Sequence, residues 1–406
     1  MAGQEEALFE LISKVEAQVE NVVSSRLLQD VRKLYLVGCG DSYFAALAVR
    51  LFYNRYAGLP VEPLEAMEYA RYIAPYDARE SLVVAVSNSG RVSRTVEAVH
   101  SARRYGARTL AATAYEERPL AQAADAAIIG GLPNVRATLG SLEQAIAQGT
   151  LSEASLDWSE PGAAQRVARQ LGIEGLDLLM VGLGAYYASV LILYLIGLRL
   201  ARLQGRLSAQ EIEKLRSELL RFPQIMTETT ERLAEPVRNL AQELRAHDTF
   251  LVLGAGPSYA TALLAAAKLF EQPHLNGVPQ QLEEWAHQQF FFTRPGTPIF
   301  VIAPPGAGRD RVLEQMKGAR DVGATLIAVC DEEDREVQEL AHYSLPISSR
   351  LPESLTPLTY VVPGQLFAFA MLEVKGQPPL KPPYDLQRLM EVNHRQIYAS
   401  QIRKDR

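Results

Sequence analysis

The chain repeats itself, and that constrains its fold more than any other feature. GCGDSY at residues 38–43 returns as GAGPSY at residues 254–259, an offset of 216. SLVVAVSNSGRVSRTVEAVHSARRYGARTLAAT (81–113) is matched by IFVIAPPGAGRDRVLEQMKGARDVGATLIAVC (299–330). There Glu97 answers to Glu314, Arg103 to Arg320 and Gly106 to Gly323, at an offset of 217. Two motif pairs at nearly one spacing mark a tandem duplication. Each copy alternates apolar, β-branched runs, polar or Gly-rich turns, and segments whose apolar residues recur every three or four positions. Runs such as Val83 to Val86 suit strands buried on both faces, and strand–turn–helix alternation predicts a parallel sheet. The expected fold class is therefore α/β: two tandem doubly wound parallel-sheet domains with a helical linker.

In the first copy the pattern predicts strand, turn and helix over 33–56, a short strand near Val61 and an acidic segment over 64–72. The strand at Val83 and its helix follow, then a strand over 109–113, a helix over 120–123 and a strand over 126–129. The second copy opens at 249–271. The intervening 131–247 reads as mostly helical, with helices at 141–148, 162–171, 187–203, 209–220 and 224–245. LLMVGLGAYYAS (178–189) looks superficially like a third Gly turn but has no companion loop. A helix around 365–372 precedes two prolines and a final helix. The expected division is an N-terminal helix (1–32), a first α/β domain (33–160), a helical linker (161–245), a second α/β domain (246–365) and a C-terminal helix and tail (366–406).

Composition narrows the partners. The 406 residues carry a net charge of −6 without a long basic run, which argues against nucleic acid. Cys39 and Cys330 lie far apart without metal spacing and read as reduced thiols. The acidic, amphipathic N-terminus is wrong for a signal peptide, so a cytoplasmic location is expected. Residues 178–198 run for 21 positions without a charge, long enough to span a bilayer. Their glycines and mid-segment tyrosines, and the amphipathic sequence that follows, favour a buried core segment and no membrane. No His, Cys, Asp and Glu cluster has ligand spacing, so neither metal nor cofactor is expected.

Chemistry concentrates in the turn after Val86. Ser87, Asn88, Ser89 and Gly90 join a buried strand to a helix start, where backbone N–H groups lack intrahelical partners and the helix dipole is positive. Such a turn suits a phosphate, with Arg91 or Arg94 adding charge. The plainer reading is that Ser and Asn simply cap the helix. The second copy has Pro304, Pro305 and Gly306 there, without hydroxyls and with fewer donors.

With GCGDSY, SNSG and GAGPSY in two α/β copies, the chain resembles the sugar isomerase (SIS) family. More closely, it resembles the isomerase half of glucosamine-6-phosphate synthase and related phosphosugar isomerases, deaminases and fructoselysine-6-phosphate deglycases. The resemblance covers roughly 34–129 and 250–388 and implies flavodoxin-like SIS domains. It implies that Ser42, Ser87, Asn88 and Ser89 hold the phosphate of a 6-phosphorylated sugar. Where the family commonly has Thr, this chain has Val92, which leaves Arg91 or Ser93 to replace a hydroxyl. The family's Lys-x-x-Glu followed by His after 16 residues is matched by Lys268, Glu271 and His287. The resemblance makes Glu271 the base that shuttles a proton between C1 and C2 through an enediol or enolamine. It makes His287, with Glu284 placed to orient it, the ring-opening group given by the neighbouring subunit of a homodimer. Lys268 and Glu271 also fit an ordinary i, i+3 helix pair, and a lone His is usually structural or solvated. PYDLQR aligns Arg388 with the family's tail lysine, and arginine cannot form an imine because it stays protonated. Neither an N-terminal catalytic Cys nor room for a glutaminase precedes Lys33, so glutamine-dependent amination is not expected. The alternative is a non-catalytic phosphosugar-binding regulator.

Overall fold

The computed structural model describes residues 2–132, 183–376 and 386–403, without the side chains of 2–4 and 386–391. The helices expected at 141–148 and 162–171, and the Gly turn at its 178–182 end, lie outside the described residues. The chain divides into two units: Ala2–Pro133 with Gly182–Pro223 and Asp385–Arg406, and Asn134–Val181 with Gln224–Tyr384.

The first unit holds a five-stranded, all-parallel sheet. Its strands are β1 (Lys33–Gly38), β2 (Val61–Glu65), β3 (Ser81–Val86), β4 (Arg108–Thr113) and β5 (Ala126–Ile129), in the order β2-β1-β3-β4-β5. Leu34 faces Leu82 and Val37 faces Ala85 in the β1–β3 register. Every residue of β3 is buried, as its β-branched run requires. Around the sheet lie α1 (Ala2–Val22), α2 (Asp41–Ala48), α3 (Ser93–Arg104) and α4 (Leu183–Leu203). Val96, Val99 and Ala102 of α3 join Tyr35, Val37, Val83 and Ala85 in one core. The charge-free stretch in α4 is a core helix of this unit: 89 % of its apolar window is buried, and it packs on α1 and α2.

The second unit repeats the plan. Strands β6 (Thr249–Gly254), β7 (Asn276–Gln281), β8 (Pro298–Ala303), β9 (Thr325–Asp331) and β10 (Tyr343–Ile347) run parallel in the order β10-β9-β8-β6-β7. That is the first sheet's order read from its other edge. Before β6 comes α5 (Ala209–Glu243), a single helix of 35 residues where the pattern suggests two; its residues up to Pro223 belong to the first unit and the rest to the second. Pro223 and Pro236 each cost it one backbone bond. Ile212, Leu215, Leu219, Phe222, Ile225 and Met226 nonetheless keep a continuous buried stripe through the first of them. Further helices of this unit are α6 (Pro257–Glu271), α7 (Leu282–His287), α8 (Arg309–Asp321) and α9 (Val362–Val374). Back in the first unit, α10 (Leu386–Tyr398) is the final helix.

The duplication extends to backbone angles. Gly40 and Gly256 cap α2 and α6 at φ/ψ of 55/−130° and 54/−128°, a region L side chains rarely enter. Both motifs thus make the same sharp turn from strand into helix.

Candidate functional site

In a doubly wound sheet, ligands bind beyond the carboxyl ends of the strands, where the strand order reverses. In the first unit that point lies between β1 and β3. Ser42 sits in the first turn of α2, just after β1, and Ser87, Asn88 and Ser89 follow β3. The topology therefore brings the four predicted phosphate residues to one crevice mouth.

The turn is held from below. Ala114 N–H and the Thr113 hydroxyl donate to the Asn88 carbonyl, and Gly90 N–H donates to the Ser87 carbonyl at 3.0 Å. Gly90 takes φ of +63°, and a Cβ there would meet Arg118 Cβ at 2.7 Å and Thr113 Oγ1 at 2.8 Å. Ser87 is buried and its Oγ lies 3.5 Å from Ser89 Oγ, which accepts from Arg91 N–H at 3.4 Å. The N-cap of α3 is Val92, with no side-chain cap hydrogen bond. Ser87, Asn88 and Ser89 therefore do not cap α3, and its first-turn N–H groups are left to meet an anion. Ser93 is buried at the first position of the helix.

The two arginines of this turn are engaged with the chain's end. Arg91 lies over the Tyr398 ring, 5.0 Å from its centroid. Arg94 donates to Ser400 Oγ at 3.1 Å, to the Gln401 carbonyl and to the Glu97 carboxylate. Sequence reasoning missed these tail contacts; the trace they leave is Tyr398 and Ile402 in a mostly polar terminus, the latter packed on the core. Arg388 lies in the first turn of α10, and its side chain is outside the described residues.

Cys39, inside the Gly turn, donates to Glu65 Oε1 at 3.1 Å and accepts from Thr95. Burial and the Glu65 carboxylate push its thiol up to about 12, so it is not a thiolate nucleophile.

The same crevice in the second unit, between β6 and β8, is closed by its own carboxylate. Ala307 N–H donates to Glu353 Oε1 at 3.2 Å. A Cβ on Gly306 would stand 2.3 Å from that oxygen. A protein anion thus occupies the loop that Pro304 and Pro305 leave poor in donors. Nothing in the Leu351–Pro352–Glu353 sequence signals this.

Lys268 and Glu271 project from the last turns of α6. The Lys268 side chain is 1 % exposed and donates to Glu271 Oε2 at 2.7 Å, while Glu271 is about half exposed. A buried ammonium is tolerated only with partners, so the lysine anchors an accessible carboxylate. This is not an ordinary surface pair.

His287 ends α7, exposed, with Nε2 3.7 Å from Glu283 Oε1. Arg311 grips Glu283 through two bonds of 2.6 and 3.0 Å and holds its carboxyl below the usual range. Glu284 instead accepts from Gln288. The neighbour of His287 is therefore Glu283 rather than Glu284.

Chain direction separates Glu271 from His287. α6 runs antiparallel to β6, so its end lies near the start of β7, whereas α7 begins beyond the end of β7. Six residues of β7 rise ~20 Å at ~3.3 Å each. Within the second unit, the end of α6 and the start of α7 thus lie toward opposite ends of the strands, with Glu271 at one and the α7 that carries His287 at the other. Among the described residues, no group of three or more His, Cys, Asp and Glu could hold a metal ion.

The SIS domain family model matches residues 27–155 and 243–375. The chain is 27 % identical over 358 residues to glutamine–fructose-6-phosphate aminotransferase (isomerizing) of Corynebacterium glutamicum, covering 87 % of this chain and 50 % of the relative. The Corynebacterium efficiens enzyme of the same name is 28 % identical over the same shares. The chain spans about half the length of the curated relatives it matches. In three dimensions it superposes on the C-terminal domain of glucosamine-fructose-6-phosphate aminotransferase from Francisella tularensis with a TM-score of 0.70, at 18 % identity, over 93 % of this chain and 97 % of that one. Glucosamine-6-phosphate deaminase from Thermotoga maritima gives 0.56 at 18 % identity, with the same coverage. The sequence match over most of two tandem copies agrees with the repeated parallel sheets and the paired glycine turns, and the chain belongs to the SIS-domain family, with two SIS domains in tandem.

Proposed function

We propose that the protein is a phosphosugar isomerase, deaminase or deglycase. It acts on a 6-phosphorylated sugar, amino sugar or sugar–amine adduct through an enediol or enolamine, without hydrolysing glutamine. The observation that carries this reading is the Lys268–Glu271 pair. One carboxylate, held by a buried ammonium and still accessible, suits a proton shuttle between adjacent carbons. Glu271 removes the proton from C1 of the ketose and returns it to C2. The carbonyl then moves from C2 to C1. Lys268 orients the carboxylate. Ser42, Ser87, Asn88, Ser89 and Ser93, with the first-turn N–H groups of α3, bind the phosphate. Arg388 supplies a fixed positive charge at the tail and forms no imine.

The placement of Glu271 and α7 toward opposite ends of the strands supports a homodimer in which each site takes its histidine from the neighbouring subunit. A cytoplasmic location fits this chemistry. A second reading, a phosphosugar-binding regulator, is favoured by one observation: Val92 stands at the α3 N-cap without a hydroxyl.

The test is proton exchange in D₂O. Purified protein is incubated with fructose, glucosamine and fructoselysine 6-phosphates, and C1 and C2 deuterium and products are followed by NMR. Exchange that Glu271→Gln abolishes supports the enzyme, and the product names the reaction. Saturable binding without exchange supports the regulator. Mixed dimers of Glu271→Gln and His287→Ala should regain activity if the site is shared. Glutamate release from glutamine would refute the amidation-free reaction.

A further inference from the structure

The two arginines of the serine turn are committed differently. Arg94 spends its guanidinium on the Glu97 carboxylate, Ser400 Oγ and the Gln401 carbonyl. Arg91, among the described residues, has no carboxylate at ion-pair distance, and its side chain makes no hydrogen bond. Its guanidinium lies instead over the Tyr398 ring, 5.0 Å from the centroid. A guanidinium stacked this way gives its flat face to the π cloud and keeps its N–H groups at the edges. The ring therefore fixes the cation without using its donors, and those donors match the oxygens of a phosphate.

The position also asks for an anion. Arg91 stands between Ser89, whose Oγ accepts its backbone N–H, and Val92, the N-cap of α3. A helix N-terminus carries positive potential, so a cation there is unfavourable unless a negative group joins it. Glu97 does not serve, because Arg71 and Arg94 already bind it. The tail that supplies Tyr398 is itself anchored. His394, one turn earlier in α10, packs its ring 5.0 Å from that of Tyr398, and Ile402 packs on the core of the first unit.

We propose that Arg91 is a ligand of the substrate phosphate and that Tyr398 is the residue that positions it, which makes the C-terminal tail part of the phosphate site. The proposal rests on the phosphosugar reading of the Ser87–Ser89 turn. Arg91 then supplies N–H donors at the point where Val92 brings no hydroxyl, and Tyr398 acts on the ligand only through Arg91.

The test is calorimetric titration of the full chain with inorganic phosphate and with fructose, glucosamine and fructoselysine 6-phosphates. The variants are Arg91→Ala, Tyr398→Phe, Tyr398→Leu, Ser89→Ala and the double Arg91→Ala/Tyr398→Leu, each checked for an unchanged circular dichroism melt. Arg91→Ala should weaken the phosphate ligand ~10-fold or more, as loss of a charge-assisted bond does. Tyr398→Leu should weaken it ~2–5-fold, the scale of an exposed cation–π contact, and Tyr398→Phe, which keeps the ring, should stay within ~2-fold of wild type. In the Arg91→Ala background Tyr398→Leu should have no further effect, because the ring has nothing left to position. A further loss there would mean that Tyr398 merely holds the tail together, and would overturn its assigned role. Phosphosugar binding that Ser89→Ala abolishes and Arg91→Ala leaves within ~2-fold overturns the proposal while the phosphosugar reading stands. Inorganic phosphate bound through Arg91, with none of the three phosphosugars bound, upholds the proposal and overturns that reading. Absence of saturable binding of all four below ~10 mM overturns both.

Discussion

The duplication supplies its own control for what a buried ion pair contributes. Arg94 and Glu97 on α3 correspond to Arg311 and Glu314 on α8, both at i, i+3. Glu97 is 1 % exposed and accepts from Arg71 Nε at 3.0 Å as well as from Arg94. The Glu314 side chain is 64 % exposed and its pair stands in water. In Glu97→Gln the two guanidiniums keep their positions but lose the charge between them, and the new amide NH₂ faces donors. Breaking a buried pair costs ~3–5 kcal/mol, and partial exposure of Arg71 and Arg94 reduces this to ~2 kcal/mol. With a urea slope of ~2–3 kcal/mol/M, the first unit's midpoint should fall by ~0.7–1 M. Because the two units need not unfold together, the assay is hydrogen exchange in urea on peptides covering 83–104 and 394–403. Both should lose protection together, since Arg94 also holds Ser400 and Gln401. Glu314→Gln should leave the α8 peptide's midpoint unchanged. Equal responses from the two variants, or none from Glu97→Gln, would refute the argument that burial separates these duplicated pairs.

Three more outcomes are expected. Glu373 is 5 % exposed, burial raises its carboxyl above the usual range, and its Oε1 has no hydrogen-bond partner. The folded state then holds that proton more tightly than the unfolded chain, so stability should rise as pH falls from neutral toward the unfolded carboxyl value; Glu373→Gln should be more stable than wild type at pH 8 and should flatten this slope in chemical denaturation. Cys39 and Cys330 are both pushed up to about 12, chiefly by burial, so Ellman's reagent at pH 8 should titrate both only after denaturation, with native rates ~10³-fold below an exposed thiol. Gly318→Ala in α8 meets nothing within 4 Å and should raise stability by ~0.5–1 kcal/mol in thermal melts, whereas Gly254→Ala puts a Cβ 2.2 Å from the Ser258 carbonyl oxygen and should cost ~3 kcal/mol or more.

The central strands of both sheets were legible in the sequence because β1, β3, β4, β6, β8 and β9 are short apolar runs ended by turns, whereas β7 (NGVPQQ) and β10 were not foreseen. Gly38 and Gly254 even mark where strand and following helix approach too closely for a side chain. The unbroken α5 was not legible, since the proline at 223 is read locally as a break while the stripe that holds the helix together is tertiary. The serine turn was visible as chemistry. Its commitments were not: whether Arg94 serves a ligand or the tail depends on residues some 300 positions away. The Lys268–Glu271 spacing gave the pair, but only packing made one member buried and the other open. Glu353 closing the second loop left no trace, because a carboxylate after a proline is unremarkable in any sequence.

The two copies illustrate how a duplicated fold divides one task. Each keeps the glycine turn, the strand order and a crevice where that order reverses, so each presents N–H groups to an anion. In the first copy hydroxyls surround those groups and no side chain caps the helix. In the second, prolines thin the donors and Glu353 supplies the anion from within. A loop satisfied by its own carboxylate has little to gain from a phosphate, which would have to displace that side chain and overcome its charge. The second copy is thereby free to evolve another edge, and its open carboxylate lies at the opposite end of the sheet from that loop, at the end of α6. The inherited anion crevice and the open carboxylate therefore occupy different ends of one scaffold. The same geometry keeps Glu271 away from its own His287, which is why the proposed shared site draws that histidine from a second subunit.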